Sequence, residues 1–105
     1  MIAIFWKYRV KPEHAEEFER VYGPDGDWAR LFARQEGYLG TELLRGADSD
    51  YLTIDRWRSS GDFAAFKENH GDDYTALDAR TEAWTEEETR LGTWGEGDLS
   101  GGCRD

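Results

Sequence analysis

A chain of 105 residues is the size of one compact domain, too short for a nucleotide-binding domain joined to a separate substrate domain. Aromatic residues make up 14% of it, a load that argues for a packed core despite 34% charged residues. With 13 basic against 23 acidic side chains the formal charge is −10, which opposes nucleic acid and anionic membranes as partners because both would be repelled. The single cysteine, Cys103, leaves no internal disulfide and no thiolate zinc cluster to build. Met1 to Val10 lacks the basic start and unbroken apolar run of a signal peptide. No stretch approaches the ~18 apolar residues of a membrane span. The expected location is cytoplasmic.

Ile2 to Val10 predicts a strand, with Ile2, Ile4, Trp6, Tyr8 and Val10 on one face by the two-residue period. Lys11-Pro12 breaks it. Pro12 suits a helix start, and Glu13, Glu16 and Glu17 sit where the helix dipole favours acids. Ala15, Phe18, Val21 and Tyr22 recur at helical spacing, so a helix is expected over Glu13 to Tyr22. Gly23-Pro24-Asp25-Gly26 is a turn. Asp27 then opens a second helical piece carrying Trp28, Leu31 and Phe32 and ending near Gly37. Tyr38 to Arg45 and Tyr51 to Arg58 read as two strands joined in a hairpin. Ser59-Ser60-Gly61-Asp62 supplies capping chemistry for a helix with Phe63, Phe66 and Lys67 on adjacent turns. His70-Gly71 breaks it, and Asp72 or Asp73 starts another helix with Tyr74, Leu77 and Thr81. Glu86-Glu87-Glu88 reads as a solvated helix end or loop, and Glu88 to Trp94 as a fourth strand. From Gly95 on, the glycine-rich chain reads as a mobile tail, which gives one domain over residues 1–96 and a tail over 97–105.

The order is that of a split βαβ plan: an α+β, ferredoxin-like βαββαβ sandwich with helices on one face of an antiparallel sheet. Its strands do not alternate cleanly between apolar and polar. Phe5, Leu39, Leu43, Leu52 and Ile54 share strands with Ile4, Trp6, Tyr38, Leu44, Tyr51 and Trp57. Both sheet faces therefore want burial, and a second copy packed sheet to sheet is the simplest cover, giving a homodimer.

Four segments resemble the antibiotic biosynthesis monooxygenase-like domains of the dimeric α+β barrel superfamily. They are the opening strand with Lys11-Pro12-Glu13 and Glu17-Phe18; Gly37-Tyr38-Leu39-Gly40-Thr41-Glu42-Leu43; Tyr51-Leu52-Thr53-Ile54-Asp55-Arg56-Trp57 with Ser59; and Phe63 to Phe66, Tyr74 and Leu91-Gly92. The resemblance implies a dimeric α+β barrel and one of two oxidative activities, cofactor-independent oxygenation of polycyclic phenols or anthrones, or haem degradation. The haem-degrading branch uses an Asn on the first strand and a Trp and a His around the third helix. Here no Asn lies between Ile2 and Val10, Phe66 stands where the Trp is expected, and His70 stands alone, which points away from haem. The quinone-forming branch uses Trp, Tyr, Asn and Arg around a pocket, and Trp57, Asn69, Tyr74 and Arg90 are those residue types in corresponding regions.

Asp55 interrupts an otherwise apolar strand and shares a face with Thr53 and Trp57. It is either ion-paired with a neighbouring Arg or carries a raised pKa suited to a general base. His70 and Tyr74, four residues apart, would share a helix face if one helix held both, and could move a proton and orient a phenol. Trp6, Tyr8, Trp28, Trp57, Trp84 and Trp94 could line a cavity for a planar ligand or simply fill the core. His14 and His70 have no His or Cys partner at ligand spacing, so no metal is expected, and neither a phosphate-cradling loop nor a nucleophile elbow is present. The expected catalytic set is Asp55, His70, Tyr74 and Arg90, with Tyr8, Trp57, Phe66 and Asn69 binding substrate. The expected function is a cofactor-free monooxygenase acting on a small aromatic or polyketide-type molecule with oxygen. The alternative is a non-catalytic or stress-related barrel that holds a small hydrophobic ligand.

Overall fold

The computed structural model describes residues 1–95. Ile2–Val10 forms β1, and its apolar face (Ile2, Ile4, Tyr8 and Val10 buried, Trp6 half-buried) turns toward the helices. The chain leaves β1 through Lys11, extended as a residue before proline must be. The helix expected from Glu13 starts later. Pro12–His14 is a 3-10 turn, closed by the Ala15 N–H on the Pro12 carbonyl, and α1 runs Ala15–Tyr22. α2 spans Asp27–Phe32 and ends five residues short of the expected Gly37, where the Arg34 and Gln35 N–H groups tighten onto the Leu31 and Phe32 carbonyls and exhaust the helical ladder. Gly37 has φ +101°, and a Cβ there would meet the Asp62 side chain at 2.4 Å, so only glycine fits the joint between this turn and α3.

β2 (Tyr38–Arg45) and β3 (Asp50–Trp57) form the expected hairpin. α3 (Ser60–Asn69) is capped by Ser59, whose Oγ accepts from the Asp62 N–H at 3.1 Å. α4 (Gly71–Thr81) follows directly after His70. A short turn, Glu82–Trp84, leads into β4 (Thr85–Gly95). The fourth strand thus begins three residues before the expected Glu88, and the Glu86-Glu87-Glu88 run is strand, not helix end or loop. Pairing along β1 explains this: Glu87 lies opposite Arg9, acid against base across the ladder, and Glu88 lies opposite Tyr8.

The sheet is antiparallel with order β2-β3-β1-β4, the ferredoxin-like α+β arrangement. The core lies between it and the helices. Trp57, Phe18 and Phe66 are fully buried there, each contributing about 1.5–3 kcal/mol of burial. Their rings interlock: Phe18 stacks on Tyr22 at 4.0 Å and Phe66 meets Phe32 edge-on at 5.1 Å. The opposite sheet face has no helix. Leu44 and Trp94 stand exposed on it, beside half-buried Phe5 and Leu52 and buried Ile54. No helix among the described residues is long and apolar enough to cross a membrane. Gly95, expected to open the glycine-rich stretch, is the last residue of β4, and the expected tail over 97–105 lies outside the described residues.

Candidate active site

The two-residue period of β3 turns Tyr51, Thr53, Asp55 and Trp57 toward the helices, and all four are buried. Between this face and the helices lies a partly open cavity with about 40 Å³ of room for water-sized centres. Its floor is sheet: Ile4, Trp6 and Tyr8 of β1, Thr41 of β2, Thr53 and Asp55 of β3, and Glu88 of β4. Its roof comes from the helices: Tyr22, Trp28, Phe32, Phe63, Tyr74 and Asp78.

β4 supplies Glu88 by an irregularity. Phe5 pairs with Gly92 and Trp6 with Arg90, so Leu91 is an extra residue in the ladder, next to Gly92 at φ +141°. This bulge reverses which face the strand presents. Residues N-terminal to it put Glu88 beside Tyr8 and Arg90 beside Trp6, on the cavity side. Residues C-terminal to it put Trp94 on the outer face against Phe5, ring centroids 4.9 Å apart.

Asp55 is the group with the most chemical potential. Its carboxylate accepts one hydrogen bond, from Thr41 Oγ1 at 2.8 Å, and has no ion-pair partner among the described residues; the adjacent Arg56 pairs with Glu42 instead. The ion-pair alternative is thereby set aside. Burial drives the pKa up, from the ordinary 3.8 to about 6, against the smaller opposing effect of the Thr41 bond. Since the one Thr41 hydroxyl proton is spent on Asp55, the Tyr38 hydroxyl, 2.6 Å from Thr41 Oγ1, donates to it. A chain Tyr38–Thr41–Asp55 therefore runs from a half-buried phenol to the buried carboxylate.

The tyrosines of the cavity keep their protons. Burial raises the Tyr8 and Tyr74 phenols and pushes Tyr22 up to about 12. The Glu88 carboxyl, on the exposed edge of the cavity, is also raised, first by desolvation and then by Asp78. Thr53 Oγ1 and Trp28 Nε1 are buried. The Tyr8 and Tyr22 hydroxyls lie beside them, and against the larger effect of burial their pKa values are lowered slightly by weak side-chain hydrogen bonds from Thr53 and Trp28. These two groups are thus held at the cavity without a partner at full bonding geometry among the described residues.

Of the residues expected from sequence, Asp55, Tyr8 and Tyr74 come together at this cavity. Arg90 lines an adjoining groove, where its Nη2 donates to Thr93 Oγ1 at 2.8 Å. His70, Asn69, Trp57 and Phe66 stand outside the cavity lining. His70 joins α3 to α4 and its ring stacks on Phe66 at 5.6 Å. Its carbonyl, not its imidazole, meets Tyr74, by accepting the Tyr74 N–H at 2.9 Å. Asn69 is exposed and bonds Gln35. Trp57 and Phe66 have no exposed surface and pack the core. Of the tryptophans weighed as cavity walls, Trp6 and Trp28 serve, while Trp84 stacks on His14 and Trp94 meets Phe5 edge-on. Thr41, Thr53 and Glu88 escape a sequence reading: threonine is ordinary in strands, and the side Glu88 faces depends on the bulge.

The family model for antibiotic biosynthesis monooxygenase matches residues 1–77. Among solved structures, SnoaB, a cofactor-independent oxygenase from Streptomyces nogalater, is similar at TM-score 0.70 and 23% identity, covering 94% of this chain and 96% of its own. A Deinococcus radiodurans protein bearing the family's description gives TM-score 0.70 at 15% identity, over 94% of this chain and 95% of that one. A NIPSNAP domain protein from Burkholderia xenovorans gives TM-score 0.66 at 16% identity over 100% of both chains. A search of curated proteins finds no significant sequence match. At these identities the structural likeness is one of fold. The family match, however, spans well over half of the sequence, and by it this chain belongs to the antibiotic biosynthesis monooxygenase family.

Proposed function

We propose that the protein is a cofactor-independent monooxygenase that holds a small aromatic or polyketide-type phenol between sheet and helices and delivers molecular oxygen to it. The observation that carries this reading is Asp55, a buried carboxylate with a pKa near 6, facing a cavity walled by aromatic rings. At neutral pH it is ionised and weakly solvated, which makes it a stronger base than a carboxylate in water. It removes a proton from a phenol or from the activated ring methylene of an anthrone. The electron-rich anion passes one electron to oxygen, and the radical pair combines to a hydroperoxide. Loss of water leaves a carbonyl. One oxygen atom stays in the product and the other leaves as water with the two methylene hydrogens, so the substrate itself is the reductant. The chain's part is to bind, deprotonate and exclude bulk water. Tyr8, Tyr22 and Tyr74, which keep their protons, together with Thr53 Oγ1 and Trp28 Nε1, are donors available to ligand oxygens.

The proposed active form is a homodimer. Leu44 and Trp94, exposed beside Phe5, Leu52 and Ile54 on the helix-free face, support sheet-to-sheet pairing.

Oxygen uptake with a panel of anthrones and naphthols tests the reading. Wild type is expected to consume oxygen, and Asp55→Asn to lose about 100-fold or more of the rate, the usual worth of a positioned base. A comparable loss in His70→Ala with Asp55→Asn unaffected would move the base to His70. Binding of the panel without uptake would leave a ligand-holding barrel, the second reading.

A further inference from the structure

Asp55 is held from the side of β2, by two residues that a strand of regular period would put on opposite faces. Counting by twos, Tyr38 and Thr41 point apart. In the folded chain Tyr38 lies opposite Trp57, Gly40 opposite Arg56 and Thr41 opposite Asp55, so Leu39 is an extra residue in β2. Its side chain is exposed, and Gly40 beside it has φ +142°. This bulge turns Tyr38 and Thr41 to the same face, where their hydroxyl oxygens meet at 2.6 Å. Packing fixes Tyr38 in place, its ring centroid 5.3 Å from that of Trp57 and 5.6 Å from that of Phe32. Thr41 and Asp55 line the cavity and Tyr38 does not, so the phenol acts on the site through Thr41. A threonine hydroxyl has one proton and a rotor free to aim it. The Tyr38 O–H, donating to Thr41 Oγ1, occupies a lone pair of that oxygen, and the Thr41 proton lies on Asp55 Oδ1 at 2.8 Å. Asp55 Oδ2 has no hydrogen bond among the described residues. The phenols of Tyr8 on β1, Tyr38 on β2 and Tyr74 on α4 sense the Asp55 charge, and Asp78 on α4 and Glu88 on β4 share its cavity. None of these outweighs burial and the Thr41 bond, the two causes that set the Asp55 pKa.

We propose that Tyr38 is a positioning residue for Asp55: through Thr41 it fixes one carboxylate oxygen, Oδ1, and leaves the other, Oδ2, to take the ligand's proton. The inference rests on the reading of Asp55 as the base and adds a residue that lies outside the cavity. The step is a single proton transfer. A C–H or O–H bond of the ligand breaks, its electron pair stays on the ligand, and an Oδ2–H bond forms, while the Thr41 and Tyr38 protons stay where they are. Linked hydrogen bonds polarise one another, so the bond that Thr41 receives strengthens the one it gives. Without the phenol O–H the Thr41 rotor is freed, its bond to Oδ1 weakens, and the ionised form of Asp55 is less favoured. The carboxylate also gains freedom to turn, which blurs the position from which Oδ2 meets the ligand.

Carboxyl carbon NMR titration of Asp55 in wild type, Tyr38→Phe, Thr41→Val and the double variant tests it, with oxygen uptake followed against pH alongside. Tyr38→Phe keeps the ring in the core and is expected to raise the Asp55 pKa by about half a pH unit, a fraction of the shift expected on losing the Thr41 bond outright. In the Thr41→Val background the same change is expected to add nothing, because the connection is already cut. Thr41→Ser keeps a hydroxyl and is expected to titrate like wild type. In Tyr38→Phe the limb of the uptake rate that rises with pH is expected to move up by the same half unit or so, with kcat down about 3- to 10-fold and KM unchanged. An unchanged or lower pKa in Tyr38→Phe overturns the positioning role. So does an equal rise in both backgrounds, since the phenol would then act without Thr41. The titration needs no substrate and decides the coupling whether or not wild type consumes oxygen; absent uptake removes the oxygenase reading alone. Uptake lost in Asp55→Asn but untouched in Tyr38→Phe keeps the base and removes Tyr38.

Discussion

Asp55→Asn is expected to make the protein more stable at alkaline pH, with a pH dependence that identifies the cause. Burial raises the Asp55 pKa from 3.8 to about 6, so the folded chain holds this proton more tightly than the unfolded one. Stability from this group is present in full below the unfolded value and is lost as pH climbs through about 6. At pH 8 the loss is complete and comes to about 3 kcal/mol, at about 1.36 kcal/mol per pH unit of displacement. At pH 4.5 the folded carboxyl is neutral while most unfolded chains have ionised, and the loss is about 1 kcal/mol. An asparagine removes the charge and keeps an oxygen for the Thr41 hydroxyl. Urea unfolding at one protein concentration should therefore find Asp55→Asn ahead of wild type by up to about 3 kcal/mol at pH 8 and by about 1 kcal/mol at pH 4.5. An advantage equal at the two pH values, or a deficit at pH 8, would show that the ionised carboxylate is solvated or paired in the folded protein, and the basis for its role as a base would be gone. A stability gain joined to a lost oxygenation rate is what a functional carboxylate kept at a structural cost predicts.

Thr41→Val removes the one hydrogen bond that favours ionised Asp55 and should raise its pKa by a further one to two units or so, from a lost bond of about 1.5–3 kcal/mol; carboxyl carbon NMR titration reads this directly, and an unchanged or lower value would mean the bond does not hold the charged form. Phe66→Ala empties a site with no exposed surface and should cost about 3–5 kcal/mol in urea unfolding; a cost under about 1 kcal/mol would show that the core around Trp57 collapses to fill the space. Sedimentation should find wild type at about twice the 12.1 kDa chain mass, and the Leu44→Glu/Trp94→Glu variant at the chain mass with its helical circular dichroism intact. A wild-type monomer would refute sheet-to-sheet pairing.

What could be read from the residues follows from how far each signal depends on distant parts of the chain. β1, β2 and β3 are legible because the two-residue period is local and Pro12, Gly37 and Ser59 punctuate it. Asp55 is legible for the same reason, since a carboxylate between Ile54 and Arg56 on a buried face must be reconciled with its surroundings. The choice between an ion pair and a raised pKa is not local. It is settled by Thr41 on β2 at 2.8 Å and by Arg56 turning to Glu42. The aromatics fail for another reason. Trp57 and Trp28 are equally apolar in sequence, and only packing decides that Trp57 fills the core while Trp28 faces the cavity.

β4 carries the most consequential case. Counting by twos puts Glu88, Arg90, Gly92 and Trp94 on one face. In the folded chain Trp94 faces outward with Phe5, while Glu88 and Arg90 face inward with Tyr8 and Trp6. One extra residue, Leu91, separates them, and Gly92 at φ +141° adopts the backbone that a side chain would resist. Without that bulge the acid at the cavity and the cation of the groove would lie on the face proposed for pairing, where two buried charges per subunit would oppose association. The same residue pair that the family resemblance picks out, Leu91-Gly92, therefore does two jobs at once: it keeps the outer face apolar enough to meet a second copy, and it turns the charges of the site inward. Gly92→Val should strain both, so loss of the dimer in sedimentation and loss of oxygen uptake are expected to appear in the same variant.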